Sequence, residues 1–258
     1  EVYLSAATIH DVVRVVEHYD LVPVPIDVDV DTLAPRVDLL DAALASRPPA
    51  ALAKPTVFIM AYVFGSRYSL EPYVKVARKH DVLLVEDAAQ AFTGIARYAG
   101  SPHAHVSLFS FGSIKRATAF GGAMVSFAQD AERVAELGQV PARMRAERNA
   151  LPIRSRSVFV SKLAKYFALR YGVSHPAVLS LVASVADSLG TSLDELITGM
   201  IRGFPGDAFF DQIHHRASAP LLALLLHRLR APSLADDALA ARMAVCEWVR
   251  AALPDTVV

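Results

Sequence analysis

The chain has 258 residues, of which 53% are hydrophobic, and its 26 basic side chains (Lys and Arg) balance its 26 acidic ones (Asp and Glu). This length can bury a sizeable core in one large domain, or in one domain with part of another. The zero net charge disfavours a nucleic-acid-binding protein, which usually carries a basic excess, and a single cysteine, Cys246, excludes a disulfide scaffold.

Predicted helices and strands alternate in the first part of the chain. Ser5 is predicted to cap a helix whose apolar residues recur at helical spacing over Ile9–Val16. A strand is predicted over Leu21–Asp29, and its two prolines favour an edge position in a sheet or an irregular start. A second helix is predicted over Val37–Ala45. The nearly continuous apolar run Thr56–Val63 then predicts a strand that is buried on both faces.

The alternation continues toward the middle of the chain. Ser69 begins a predicted helix whose last turn, ending at His80, is basic, as the helix dipole favours. The buried strand Val82–Val85 runs directly into Glu86-Asp87, and two further strands are predicted over His105–Phe111 and Gly121–Phe127. This order indicates an α/β fold with a largely parallel sheet. In such sheets, ligands bind at the carboxyl ends of the strands.

The pattern changes after about residue 128. Val140–Arg156 is rich in Arg and Pro and is predicted to be an exposed connection. The rest of the chain consists mainly of predicted helices over Val158–Tyr171, Pro176–Leu189, Leu193–Ile201, Leu221–Arg230 and Asp236–Ala252.

The apolar segment 158–201 has two interpretations. The simpler one is an inserted helical subdomain or a surface that packs in a dimer. The other is contact with a lipid-like substrate or a membrane surface, because Lys162 and Lys165 lie beside apolar residues. No run approaches the roughly 18 uninterrupted apolar residues of a membrane span, and the first residues do not resemble a targeting signal. We therefore expect a soluble, cytoplasmic protein.

Several common site motifs are absent. The chain contains no GxGxxG and no GxxxxGK motif, which argues against a dinucleotide site of the Rossmann type and against a P-loop. The pairs His103/His105 and His214/His215 could ligate a metal by their spacing, but histidines at the surface or in hydrogen bonds explain them more simply. We expect no metal site.

An acid and a lysine at neighbouring strand ends are the most informative pair. Asp87 ends a buried strand, where an acid is costly unless a cation meets it. Lys115, in the turn after the next strand, can reach the same crevice. An acid beside a ring nitrogen, with a lysine that forms an imine, is what pyridoxal phosphate chemistry requires. The alternative is that Asp87 only pairs with Lys115 or caps a helix.

Three segments together favour the first alternative. Val85–Ala91, Ser110–Lys115 and Gly121–Ala123 resemble the DegT/DnrJ/EryC1/StrS family, which comprises pyridoxal-phosphate (PLP) aminotransferases of fold type I that act mainly on nucleotide-linked keto sugars. The resemblance extends upstream and covers about residues 1–130. It implies an α/β large domain with a mostly parallel sheet over residues 1–130. A helical connection over residues 131–235 and the start of a small domain over residues 236–258 would follow.

The resemblance also assigns roles to single residues. Lys115 would hold the cofactor as an internal aldimine and move protons between substrate and cofactor. Asp87 would pair with the protonated pyridine nitrogen, and Gln90 would hydrogen-bond near the phenolic oxygen. Ser110 would bind the cofactor phosphate, and Ala89 would lie against one face of the ring.

The activity implied by the family is a ping-pong transfer of an amino group from an amino acid, often glutamate, to a keto sugar in a homodimer. The family's glycine-threonine turn and its stacking aromatic lie upstream of this sequence, so we expect a chain truncated at both ends. Tyr62 stands where the family often has a histidine. The family's intersubunit asparagine has no clear match, although His214 and His215 lie in that region. The alternative function is a non-catalytic regulatory or assembly protein of the same ancestry.

Overall fold

The computed structural model describes residues 1–48, 55–115, 117–167, 209–230 and 236–252, together with residues 180, 183, 184, 188, 190 and 192. Within these residues one sheet has the strand order β2-β1-β3-β4-β5-β6, in which only the pair β5–β6 is antiparallel. The strands are β1 (Val2–Ser5), β2 (Pro23–Ile26), β3 (Thr56–Ala61), β4 (Val82–Asp87), β5 (Val106–Ser110) and β6 (Ala123–Phe127).

Helices connect the parallel strands and follow the sheet. Those between strands are α1 (His10–His18), α2 (Val37–Ala45) and α3 (Glu71–His80). Those after the sheet are α4 (Ala131–Leu137), α5 (Val140–Ala150), α6 (Arg156–Phe167), α7 (Phe209–Ile213), α8 (Ala219–Arg230) and α9 (Asp236–Ala252). This arrangement confirms the predicted α/β class with a mostly parallel sheet and flanking helices. The predicted domain boundaries stay predictions.

The first strand corrects one prediction. Ser5 is the last residue of β1 and does not cap a helix, and α1 begins five residues later at His10. The Ser5 side chain is buried, and its Oγ accepts a hydrogen bond from the Ala61 N–H at 3.0 Å. A buried hydroxyl needs such a partner, and the neighbouring strand β3 supplies it. The edge position predicted from the prolines is confirmed, because β2 is the outermost strand beside β1.

The core lies on the face of the sheet that α2 and α3 contact. Alternate residues of the central strands, among them Phe58 and Leu84, are fully buried. The Phe58 ring lies 5.9 Å from the ring of Tyr73 on α3, and Leu40 and Leu44 of α2 belong to the same cluster. On the other face, the alternating residues of β3 and β4 are only half-buried. The sheet is therefore anchored mainly from one side.

One difference from the prediction in the second half is the segment Val140–Ala150. Val140–Ala150 is the helix α5 and not an irregular connection, although its residues are exposed as predicted. Its Ala, Arg and Glu residues are good helix formers, which explains why an exposed, Arg-rich stretch is helical. Most of the apolar segment 158–201 lies outside the described residues. None of the described helices combines the length and the hydropathy that crossing a membrane requires.

Candidate active site

The carboxyl ends of β3, β4 and β5 lie side by side. In the parallel register, Ala61 pairs with Asp87, and Asp87 pairs with Leu108. Backbone hydrogen bonds continue beyond these pairs: the Tyr62 N–H donates to the Asp87 carbonyl at 3.0 Å, and the Ala88 N–H donates to the Leu108 carbonyl at 2.9 Å. The peptide groups around Asp87 are thus fixed from both neighbouring strands.

The Asp87 carboxyl is half-buried at this edge. Its Oδ1 accepts a hydrogen bond from the Ala89 N–H at 3.0 Å. Burial raises the pKa of Asp87, while the Ala89 N–H and the Lys115 ammonium both act to lower it. Since burial has the largest effect, the ionised carboxylate is under-compensated in this pocket. A second cation placed against Asp87 would stabilise it.

Lys115 lies in the predicted turn after β5, and its N–H donates to the Gly112 carbonyl at 3.0 Å. Gly112 lies between the two side chains of interest. A Cβ at that position would be 3.7 Å from Ser110 Oγ and 3.8 Å from Lys115 Cγ. Ser110 and Lys115 therefore flank one short stretch of bare backbone. Asp87 ends β4 and Lys115 lies in the turn after the neighbouring strand β5, so both residues belong to the same edge of the sheet.

The connection that carries Lys115 is closed at both ends. The Phe111 carbonyl accepts hydrogen bonds from Ala119 N–H (2.9 Å) and Gly121 N–H (3.0 Å), and the Phe111 N–H donates to the Gly122 carbonyl (3.0 Å). The lysine thus extends from a loop whose entry and exit are held together.

Two helices of the second half hold the exit of this loop. The Phe120 ring packs edge-on against Tyr166 of α6, with 4.7 Å between the ring centroids. From α8, Arg228 Nε donates to the Thr118 carbonyl at 3.1 Å, and Leu225 lies beside Gly122. Lys162 of α6 also lies near this turn and is half-buried, and burial lowers its pKa. Its placement against the loop disfavours a membrane-facing role for Lys162.

Gln90 is exposed, and its Oε1 accepts a hydrogen bond from the Phe64 N–H at 3.1 Å. This contact joins the turn after β3 to the segment after β4. The approach is close, because a Cβ on Gly65 would lie 2.9 Å from the Gln90 carbonyl oxygen, and Gly65 has a positive φ of +82°. Only glycine meets both conditions easily. The half-buried Ala89 lies between Asp87 and Gln90.

Sequence reasoning missed Glu86. It is fully buried, and it accepts hydrogen bonds from Tyr62, Tyr98 and Ser107, together with one backbone N–H. The expectation that a cation must meet a buried acid does not hold here, because neutral donors satisfy this carboxylate. The alternation along β4 was the available signal, since Glu86 shares the inward face with Val82 and Leu84.

The histidine pairs show no metal centre within the described residues, where no group of three or more potential ligands occurs. His105 is buried: its Nδ1 accepts a hydrogen bond from the Leu84 N–H (2.8 Å), and its Nε2 bonds Glu136 (2.5 Å). His214 packs near His18 and Phe210, with 6.3 Å between ring centroids in each case.

The DegT/DnrJ/EryC1/StrS aminotransferase family model matches residues 1–146. The matched segment is more than half of the chain and contains all six strands and every candidate site residue. The chain belongs to this family. The predicted relationship is therefore confirmed. The enzymes of this family are of fold type I and depend on PLP.

Solved structures give weaker likenesses. A DegT/DnrJ/EryC1/StrS aminotransferase from Brucella abortus is 27% identical, with a TM-score of 0.43, over 54% of this chain and 38% of that one. DesI, in the presence of its TDP-sugar product, is 27% identical, with a TM-score of 0.44, over 57% of this chain and 34% of that one. The aminotransferase TlmJ from Streptoalloteichus hindustanus is 24% identical, with a TM-score of 0.41, over 55% of this chain and 37% of that one. The match therefore spans little more than a third of these relatives' length.

The groups at the carboxyl edge fit PLP by their chemistry. Asp87 offers a carboxylate that gains from a further cation, and Lys115 offers an amine in the turn after the neighbouring strand. Ser110 offers a hydroxyl beside the bare backbone of Gly112, where a Cβ would narrow the space. These three residues lie at the carboxyl ends of β4 and β5 or in the turn that follows β5. The contacts of each with the cofactor stay predictions.

Proposed function

We propose that this protein is a PLP-dependent aminotransferase that moves an amino group from an amino acid, glutamate in the family's usual case, to a keto sugar carried on a nucleotide. The observation that carries the proposal is that Asp87 ends β4 while Lys115 lies in the turn after the neighbouring strand β5, at the same edge of the sheet. An amine and an acid are the two groups that this cofactor requires of its protein. From the family we further propose a homodimer that works in the cytoplasm.

When bound, PLP supplies an electron sink that makes the substrate's amino group and its neighbouring proton exchangeable. Asp87 keeps a proton on the ring nitrogen, because the resulting cation compensates a carboxylate whose pKa burial has raised. Lys115 Nζ binds the cofactor when no substrate is present. Nζ would also move a proton between substrate and cofactor, from a loop that is closed at both ends.

Gln90 and Ser110 orient the cofactor in this proposal. The Phe64 N–H occupies Gln90 Oε1, so the NH₂ group of the same side chain is left as the donor for the phenolic oxygen. Ser110 Oγ and the Gly112 N–H are 3.5 Å apart, which is a long hydrogen bond. Both groups can therefore turn toward a phosphate oxygen with little loss of free energy.

Absorption spectroscopy of the purified protein with PLP tests this function. We expect wild type to develop a protein-bound visible band that free PLP lacks, and Lys115→Ala to abolish that band. The matched control is Lys165→Ala, because Lys165 is an exposed lysine on α6. It should leave the band unchanged. Adding glutamate to wild type should then bleach the band as the amino group moves to the cofactor.

Two results would refute parts of the proposal. Identical spectra for wild type and Lys115→Ala would remove the assignment of Lys115 and favour the non-catalytic alternative. A normal band that no amino acid bleaches would leave PLP binding in place but contradict transamination.

A further inference from the structure

Glu86 makes an unusually complete set of hydrogen bonds for a fully buried carboxylate. Oε1 accepts from the hydroxyls of Tyr62, at 2.6 Å, and Tyr98. Oε2 accepts from Ser107 Oγ at 2.5 Å and from the Ser101 N–H at 2.9 Å. Within the described part of the chain, no ion pair joins Glu86 to a basic side chain.

The four donors come from three segments that surround the end of β4. Tyr62 directly follows β3, Tyr98 and Ser101 belong to the connection from β4 to β5, and Ser107 lies in β5. The connection approaches β5 closely, because a Cβ on Gly100 would lie 2.4 Å from Ser107 Oγ. One carboxylate therefore fastens both neighbouring strands and the connecting loop to β4.

The same contacts reach Asp87 through the backbone. Tyr62 donates its hydroxyl to Glu86 and its N–H to the Asp87 carbonyl, so one residue holds both acids. Successive residues of a strand point to opposite faces, and Glu86 therefore does not share the surroundings of the Asp87 carboxylate. Any influence of Glu86 on Asp87 has to act by fixing the strand end.

We propose that Glu86 is a positioning residue, whose hydrogen bonds fix the end of β4 so that the Asp87 carboxylate meets the ring nitrogen of PLP. Burying a carboxylate costs more than burying an apolar side chain of similar size, so stability alone explains this network poorly. The part of the proposal that concerns PLP rests on the proposed function. The fixing of the strand end does not.

A matched pair of variants tests the fixing of the strand end without PLP. Tyr62→Phe removes one donor to Glu86, whereas Tyr73→Phe removes an equally buried hydroxyl on α3 that donates to the Pro35 carbonyl. Hydrogen exchange is measured at the amides of residues 62 and 88. Relative to Tyr73→Phe, and at matched global stability, we expect Tyr62→Phe to speed exchange there about tenfold, the equivalent of one hydrogen bond.

A second measurement tests the effect on the cofactor. Ring-labelled ¹⁵N-PLP reports the protonation of its nitrogen by NMR, independently of turnover. In Glu86→Gln and in Tyr62→Phe we expect the nitrogen signal to move toward that of the unprotonated ring and the Kd for PLP to rise about tenfold. Tyr73→Phe should leave both unchanged. Glu86→Gln keeps the shape of the side chain. If Glu86→Gln does not fold, Tyr62→Phe provides the test.

The outcomes separate the two proposals. Equal amide exchange in Tyr62→Phe and Tyr73→Phe overturns the role of Glu86, as does an unchanged nitrogen signal in both Glu86→Gln and Tyr62→Phe. If wild type binds no PLP, the proposed function fails, while the exchange comparison still decides whether Glu86 fixes the strand end.

Discussion

At the scale of single residues, Asp87 shows a conflict between burial and charge. Burial raises its pKa in the folded chain, against the smaller opposing effects of Ala89 and Lys115. An acid whose pKa is raised on folding adds stability at low pH, and this contribution is lost as the pH rises through the folded-state pKa. At neutral pH the ionised Asp87 therefore destabilises the protein without cofactor. A cation bound against the carboxylate would offset that cost.

Asp87→Asn should consequently separate stability from function. We expect the melting temperature of the PLP-free protein at pH 7 to rise by a few degrees, with a gain that shrinks as the pH falls below the pKa of Asp87. Aminotransferase activity should fall by about 10² or more. Asp31→Asn, at an exposed acid, is the control for the loss of one charge. A lower melting temperature for Asp87→Asn at pH 7 would contradict the argument.

Gly65 connects two segments that bear on the candidate site. Gly65→Ala places a Cβ 2.9 Å from the Gln90 carbonyl and forces a side chain onto a positive φ of +82°. We expect a loss of about 2–3 kcal/mol in the free energy of unfolding, measured by urea denaturation. Gly190→Ala is a matched control, because Gly190 also has a positive φ but no described residue lies within 4 Å of its Cβ position. Equal losses in the two variants would mean that the contact with Gln90 contributes nothing.

The positions of Asp87 and Lys115 at neighbouring strand ends could be predicted, because periodicity reveals β4 and β5. Their roles came from the family resemblance and stay predictions. The role of Glu86 could not be predicted, because two of its four donors, Tyr98 and Ser101, lie in an irregular connection without periodicity. Hydrogen bonds between segments depend on where loops return in space. No local pattern in the sequence indicates where the loops return.

At the scale of elements, the loop that carries Lys115 depends on helices far along the chain. Leu225 of α8 is buried beside Gly122, while the next residue, Leu226, is 45% exposed. Leu225→Ala should cost about 2–4 kcal/mol in the free energy of unfolding, whereas Leu226→Ala should cost under about 1 kcal/mol. Chemical denaturation of both variants measures the difference. If the costs are equal, α8 does not support this loop through Leu225.

The elements also show where sequence patterns succeed. The prolines of β2 correctly indicated an edge strand, and the bounds of α2 are as predicted. The strand β1 was missed because its four residues, Val2–Ser5, are too few for alternation to register, and Ser5 resembles a helix cap. Helix α5 was missed because Arg and Pro suggested a connection, although Pro is compatible with the first turn of a helix.

At the scale of the whole molecule, the sheet and the helices after it play different parts. Family similarity ends at residue 146, yet α6 and α8, which lie beyond that point, contact the loop after Lys115. The sequence could not predict this contact, since it joins residues more than a hundred positions apart, as in the hydrogen bond from Arg228 to Thr118.

The proposed homodimer gives a prediction at this scale. Light scattering after size-exclusion chromatography should give a mass of twice the 27.8 kDa of the chain. Fold type I sites are usually shared between two subunits, as the resemblance implies, so addition of PLP should shift any monomer toward the dimer. A mass of one chain at all concentrations, with PLP bound, would contradict the homodimer.

The single antiparallel pair in the sheet has a consequence for the order of folding. Lys115 lies between β5 and β6, which pair as neighbours in sequence, and hairpins of this kind form within microseconds. Asp87 takes its place only after β3, β4 and β5 have aligned in parallel, which requires slower closure of longer loops. In refolding of the whole chain, the β5–β6 pair would therefore close before the parallel strands that place Asp87.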